Sequence, residues 1–446
     1  MYVAEAPSII DLLDKLEPAA AVTAFTAPAD VLPRDRYLHW DKLRRLDPPN
    51  NLTSAQWWLK IKMARADDLR QLPLADPDGK RFGYTLPDIV LRHLHHVDQR
   101  CAGEVVMDEV VTSERDAETR FLVNSLMEEA IRSSQLEGAT TSRVVAKELL
   151  RSGREPKDRS ERMIVNNYRA LQFMREEMGD TLTPELVLEL HRIVTEGTLD
   201  DPSAAGRLQH PDEPRVAVFD RDERPPIYTP PPAEQLPERM EQLCHFANEG
   251  DDRESFVHPV VRAILLHFWL AYDHPFEDGN GRTARVLFFW AMQSRRYWLV
   301  EYLPISRLIR NARAKYARAF LETETDEGDT TYFLIHQLVL IEKAIDDLHA
   351  YLRRKTGERQ EMEQMLDAAE GLNGRQLTLL THAIKHPDHV YTFAGHARSH
   401  RVTHETARAD LGGIAERGLL VRRRDGRRHV FQTPSDLAAR LKESPA

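Results

Sequence analysis

His274-Pro275-Phe276-Glu277-Asp278-Gly279-Asn280-Gly281-Arg282-Thr283-Ala284-Arg285 lies between two stretches of helical, apolar periodicity, His258 to Tyr272 and Arg282 to Ser294. A loop that crosses from one helix to the next in this way is a place to bind an anion. Gly279 and Gly281 permit positive φ and close backbone approach, and the start of the second helix offers unpaired N–H groups at its positive end. Asn280 adds a neutral donor, Arg282 and Arg285 can fork onto the outer phosphates of a nucleotide, and Asp278 is a hard oxygen ligand suited to magnesium. His274 supplies the remaining function. An imidazole with an ordinary pKa near ~6.5 takes a proton from an attacking hydroxyl at neutral pH. The loop therefore carries the parts for a metal-bound nucleoside triphosphate and for proton abstraction beside it.

Outward from this loop the pattern stays helical from Ala117 to about Lys355. Thr183-Pro184-Glu185 reads as a helix start, with Thr183 as cap and Pro184 at the first helical position. Further helices are predicted at Ser160 to Glu176, Leu236 to Asn248, Asn311 to Thr323 and Thr330 to Lys355. The exception is Arg215 to Pro232, where Val216, Val218, Ile227 and Tyr228 flank the charged turn Asp220 to Arg224 and predict a short hairpin. Residues 1–110 read as a separate N-terminal region with helical pieces at Ser54 to Ala66 and Pro87 to Val97, broken at Pro48-Pro49 and Pro73 to Pro77. After a linker-like Arg354 to Gln360, helices at Arg375 to Lys385, Ala394 to His400 and Thr403 to Arg417 precede strands at Leu420 to Arg424 and His429 to Gln432, joined through Asp425-Gly426. The expected fold class is mainly α, with a hairpin on the central helices and a C-terminal winged helix-turn-helix, divided at 1–110, 111–356 and 357–446.

Composition excludes several function classes. With 41% hydrophobic and 30% charged residues over 446 positions, the chain is a folded globular protein. No secretory signal opens it, because Glu5 precedes any basic residue, and no stretch approaches a membrane span, so a cytoplasmic location and no membrane partner are expected. Cys101 and Cys244 stand far apart without metal or disulfide spacing. The net charge of −10 is unevenly placed: thirteen Lys and Arg face seven Asp and Glu from Gly371 onward, a local +6 that leaves −16 on the rest. Walker A, HExxH and GxSxG patterns are absent. In an EF-hand register His274, Phe276 and Arg285 would fall on ligand positions, which excludes a calcium loop. His258 and His267 read as structural.

The nine specified positions of HPFx[D/E]GNGRxxR are all met by His274 to Arg285, and in this the chain resembles the Fic family. The resemblance covers roughly Ala117 to Lys355 and implies a Fic-type helical domain with a hairpin flap, at 215–230, that pairs with an extended segment of a target protein. It implies a protein adenylyltransferase: His274 as the general base on a Tyr, Ser or Thr hydroxyl, Asp278 as the Mg²⁺ ligand, and Gly279, Asn280 and Gly281 as the cradle of the α- and β-phosphates of ATP. Arg282 is similar to the residue gripping the outer phosphates, and Tyr316 falls where family members place an aromatic near adenine. Upstream, Ser133-Ser134-Gln135-Leu136-Glu137-Gly138 matches the inhibitory pattern [S/T]xxxE[G/N], which implies a helix ended by Gly138 from which Glu137 pairs with Arg285 and denies it to the γ-phosphate. A homodimer is compatible with such a restraint, and the chain itself is a candidate target.

In the tail, Thr403, Thr406 and Arg408 open the expected recognition helix, and Arg422, Arg424 and Arg427 line the wing. Residues 375–432 could thus meet DNA phosphates, the alternative being a solvated wing that contacts protein. Two other functions compete with AMP transfer. One is AMP removal, with Glu137 orienting water; the other is a DNA-binding regulator whose nucleotide site only senses.

Overall fold

The computed structural model describes residues 2–28, 31, 33, 35–101, 115–215, 229–250, 256–367, 371–426 and 428–443. They form two compact units, Met1–Leu348 and His349–Ala446.

The first unit opens with α1 (Ile9–Lys15), α2 (Pro18–Thr26), α3 (Trp40–Leu43) and α4 (Ser54–Asp68). Thr53 caps α4 in a reciprocal box with Gln56, and the helix then buries Trp57, Trp58, Leu59 and Ile61 against Leu12, Ala24 and Leu43. The chain continues not into a proline break but into an antiparallel hairpin, β1 (Arg70–Ala75) and β2 (Arg81–Tyr84). Pro73 sits exposed between the buried Leu72 and Leu74, so its missing N–H and the period-2 burial coexist in one strand. The turn is tied by Asp76, whose Oδ1 accepts from the amides of Asp78 and Lys80, and Gly79 takes φ +85. The hairpin ends on α5 (Asp88–Cys101). The expected boundary near residue 110 lies outside the described residues.

There follow α6 (Arg115–Leu136), α7 (Arg143–Ser152), α8 (Arg159–Glu176), α9 (Pro184–Thr195), α10 (Leu236–Asn248), α11 (Pro259–Asp273), α12 (Asn280–Ser294), α13 (Ile305–Asn311), α14 (Arg313–Glu324) and α15 (Thr331–Asp367). Thr183 caps α9 as its sequence predicts, accepting from the Leu186 amide. α11 buries every residue except Pro259 and Ala271, and α12 buries all from Arg282 to Met292. Helices so apolar on all sides sit at the centre of the bundle, and the His274 loop joins them. The hairpin expected at Arg215 to Pro232 lies mostly on residues 216–228, outside the described set. The linker expected at Arg354 to Gln360 is instead helical, part of α15, within which the division between the units falls. Arg, Lys, Glu and Gln are good helix formers, and one glycine, Gly357, costs only about 1 kcal/mol.

The second unit holds α16 (Gly374–Lys385), β3 (Val390–Tyr391), α17 (Phe393–His400), α18 (His404–Glu416), β4 (Val421–Asp425), β5 (Arg428–Gln432) and α19 (Leu437–Glu443). The strands form an antiparallel sheet in the order β3-β5-β4, packed on a core of Leu380, Ala383, Leu411, Ile414 and Phe431. The three helices and the hairpin expected from the sequence are present, with the two-residue β3 and the C-terminal helix α19 added. Among the described residues no helix is long and apolar enough to cross a membrane.

Candidate active site

α11 ends because His274 takes a left-handed conformation, φ 46 and ψ 54, while its N–H still bonds to the Leu270 carbonyl. A non-glycine residue in that region is held there by its surroundings. Arg215 donates to the carbonyls of Asp273 and His274 at 2.7 and 3.1 Å. Asp273 is buried, 2.6 Å from Arg239, and Arg239 also donates to the Ala75 carbonyl of β1 at 2.7 Å. Phe82 of β2 packs edge-on against Tyr272 with ring centres 4.8 Å apart. The N-terminal hairpin thus braces the end of the helix that presents His274.

α12 begins behind Gly279, which has φ +85 and sits so close to α9 that a Cβ there would lie 2.7 Å from Thr195 Cγ2. Gly281 is required differently from expectation: its φ is not positive, but a Cβ would overlap Glu137 Oε1. Asn280 closes the loop on itself. Its Oδ1 accepts from the Phe276 amide at 2.9 Å, and its Nδ2 donates to the Phe276 carbonyl at 2.7 Å and lies 3.3 Å from His274 Nδ1.

One cavity of about 250 Å³ collects Glu137, Tyr272, His274, Gly281, Arg285 and Tyr316 among its lining residues. Arg282, Asn280, Asp278 and Gly279 are not on that wall. The Arg282 guanidinium, expected at the outer phosphates, is fully buried, donating to the Val194 carbonyl at 3.0 Å with Nη2 3.4 Å from Asp278 Oδ2. In this arrangement it ties the loop to the end of α9. Asp278 remains accessible, its side chain 40% exposed, between Arg282 and Arg159. Among the described residues no group of three or more His, Cys, Asp or Glu could hold a metal by itself. Tyr316 reaches His267 Nε2 with its hydroxyl at 2.9 Å.

Arg285 is the best-held cation of the cavity. Its Nε donates to Ser133 Oγ at 2.9 Å, Nη2 donates to the Ser133 carbonyl at 3.1 Å, and Nη2 lies 2.8 Å from Glu137 Oε1. The carboxylate arrives there because α6 stops abruptly. Gly138 takes φ +99, and the Ala139 amide bonds back to the Ser134 carbonyl at 3.0 Å, leaving Glu137 in the turn just beyond Leu136, the last residue of the helix.

Burial holds the His274 imidazole well below its ordinary value, to about 4, with Arg215 adding to the depression and Glu137 and Asp278 opposing it. The ring is neutral at neutral pH. His191 of α9, not singled out in the sequence, shapes the loop from behind. It stacks flat on Phe276 at 3.7 Å, accepts from the Gly206 amide at Nδ1, and through Nε2 contacts the Asp278 carbonyl at 2.9 Å. Burial likewise lowers its pKa to about 4. Neither His191, Thr195 nor Arg215 carries a local signal, since each meets the loop from more than fifty residues away.

In the second unit Thr403 caps α18, accepting from the Thr406 amide at 3.2 Å, and Thr403 and Arg408 are exposed. Arg422 and Arg424 are exposed on β4, and Arg427 lies outside the described residues. Burial depresses the His429 pKa first, and Arg422, Arg424 and Arg408 add to it. Arg408 of α18 and Arg422 and Arg424 of β4 therefore share one electropositive neighbourhood.

Residues 181–292, which include the whole His274 to Arg285 loop, match the Fic/DOC family. The chain is 30% identical over 159 residues to protein adenylyltransferase fic-1 of Caenorhabditis elegans, covering 34% of this chain and 28% of that protein. It is 31% identical over 169 residues to protein adenylyltransferase Fic of Drosophila virilis, covering 37% and 30%. The chain thus spans about three tenths of the length of these curated relatives. The crystal structure of a Fic family protein from Desulfovibrio desulfuricans superposes with a TM-score of 0.54 at 16% identity, over 81% of this chain and 99% of that one. The mainly helical fold around the loop is that of Fic proteins, and residues 181–292 form a Fic/DOC family domain.

Proposed function

We propose that this chain moves AMP from ATP onto the hydroxyl of a Tyr, Ser or Thr in a target protein or in itself, and that Glu137 restrains the reaction. The observation that carries this reading is the convergence of a neutral His274, Arg285 and Glu137 on one cavity. Relatives named protein adenylyltransferase support it.

The site suits the substrate. α12 presents its N-terminus to the loop, Gly281 leaves room for close approach, and Arg285 supplies a planar fork for a terminal phosphate. One accessible carboxylate, Asp278, is what Mg²⁺ carried on nucleotide phosphates needs, since that ion is commonly held by one or two carboxylates and the phosphates themselves. Bound there, Mg²⁺ would offset phosphate charge.

The neutral His274 imidazole takes the hydroxyl proton on its unprotonated ring nitrogen. The hydroxyl oxygen bonds to the α-phosphorus, the bond to the bridging oxygen breaks, and pyrophosphate leaves. Arg239, Arg215 and Asn280 fix the imidazole by holding the backbone around it, a positioning contribution. Glu137, while paired to Arg285, occupies the donors that the γ-phosphate needs. The segment 215–230 is proposed to align the target strand.

The test is incubation of wild type, Glu137→Gly and Glu137→Gly/His274→Ala with Mg²⁺ and α-labelled ATP in cell lysate. Protein-bound label with the single variant and none with the double supports AMP transfer under restraint. Label released from modified protein by wild type points to AMP removal instead, and full function without His274 points to a nucleotide sensor. For the second unit, the gathering of Arg408, Arg422 and Arg424 favours duplex DNA as a ligand.

A further inference from the structure

Six residues of α14, Arg313, Tyr316, Ala317, Phe320, Leu321 and Glu324, recur at helical spacing and line the His274 cavity as one stripe. From Arg313 to Glu324 the stripe runs about 16 Å. Its two ends differ in charge. Arg285 and Glu137 both act on the Tyr316 hydroxyl, whereas among the described residues no charged group acts appreciably on Glu324. The cavity thus has a phosphate end at Arg285 and His274 and, beyond Phe320 and Leu321, an apolar end that carries one carboxyl.

Among the described residues Glu324 has neither a hydrogen-bond nor an ion-pair partner. The other ionisable groups on its cavity are Glu137, Tyr272, His274, Arg285, Arg313 and Tyr316. On its other side, across a neighbouring cavity that shares Glu324 and Tyr272, stand Glu5, Asp76, Lys80 and Glu327, and Lys80 is taken by Glu327 at 2.9 Å. With nothing to pair it, burial alone pushes the Glu324 carboxyl up to about 8. At neutral pH it is therefore a group with one donor and one acceptor.

We propose that Glu324 reads the Watson–Crick edge of the nucleotide base, accepting the N6–H of adenine on one carboxyl oxygen and donating to N1 from the other. This rests on the reading of the cavity as an ATP site. Once ionised, the same carboxylate repels adenine N1 and instead accepts the N1–H and N2–H of guanine. Base preference is consequently coupled to the protonation of one side chain, and Glu324 is a specificity residue distinct from the phosphate-binding loop.

The experiment measures equilibrium binding of ATP and GTP to Glu137→Gly from about pH 7 to about pH 9, with AMP transfer followed separately. The ATP-to-GTP affinity ratio is expected to fall about 5- to 100-fold over that interval, the scale of one bidentate base contact. Adding Glu324→Gln, whose amide offers a donor and an acceptor at every pH, keeps the preference for ATP and removes its pH dependence. Adding Glu324→Leu lowers the ratio at neutral pH. A Gln variant that retains the pH dependence, or a Leu variant with an unchanged ratio, overturns the assignment while AMP transfer stands. Base-selective binding without transfer sinks the transferase reading and leaves this one, and absence of nucleotide binding in Glu137→Gly overturns both.

Discussion

Replacing Glu137 with glycine tests the restraint most sharply, because its cost and its gain are both legible in the site. Arg285 is 4% exposed and has three holds: Ser133 Oγ at 2.9 Å, the Ser133 carbonyl at 3.1 Å and Glu137 Oε1 at 2.8 Å. The substitution removes only the last, so the guanidinium stays positioned but loses its competing anion. A charge-assisted hydrogen bond of this kind contributes about 1.5–3 kcal/mol, and each 1.36 kcal/mol is tenfold. When the carboxylate and a γ-phosphate compete for one guanidinium, the competent fraction rises by that factor. The expected gain in the initial rate of transfer from α-labelled, subsaturating ATP is therefore about 10- to 150-fold. Glu137→Gln, which keeps the shape but not the charge, should fall between. With Ser133 still in place, the melting temperature should drop by no more than a few degrees. Glycine and glutamine variants that transfer at the wild-type rate and bind ATP no more tightly would refute the competition.

Four further outcomes follow from the same geometry. His274→Ala in the Glu137→Gly background should lower kcat by about 10²- to 10⁴-fold, the contribution of a positioned base, and a smaller loss would assign the proton elsewhere. Because burial depresses the His274 pKa to about 4, the imidazole is an acceptor above that value. The transfer rate should be flat through neutral pH and fall as pH drops through about 4, and an acid limb near ~6.5 would contradict the burial argument. Gly279→Ala places a Cβ 2.7 Å from Thr195 at φ +85 and should cost about 1–3 kcal/mol of stability along with nucleotide affinity; an unchanged melting curve would show the loop to be looser than described. If the second unit meets DNA phosphates, Arg422→Ala should weaken duplex binding for all sequences alike and reduce the salt slope by about one, whereas unaltered salt dependence would remove that contact.

The sequence was most readable where chemistry is local. Twelve consecutive residues carry the histidine, glycines, asparagine and arginines of the loop, and the flanking apolar runs predict α11 and α12 closely. What single positions do within the loop was less readable. Arg282 and Arg285 look alike in sequence, yet one guanidinium is buried against the Val194 carbonyl and the other opens on the cavity, a difference decided by α9 and α6. The supports of the loop were illegible for the same reason: His191, Thr195, Arg215 and Arg239 reach it from distant elements. Pro73 concealed β1 because a proline on the solvent side of a hairpin strand is tolerated, and β3 is too short to leave a period. Glu324 looks like any polar residue near a helix end. That it has no ion-pair partner among the described residues appears only when α14 is laid along the cavity.

The most direct test of AMP transfer follows the two ends of the same ATP molecule. Glu137→Gly is supplied with ATP labelled at the α-phosphorus and, separately, at the γ-phosphorus, and protein and free products are separated. AMP transfer by His274 puts α-label on protein and γ-label in pyrophosphate, and both products are lost in Glu137→Gly/His274→Ala. γ-Label on protein, or α-label found only in free nucleotide, would contradict it.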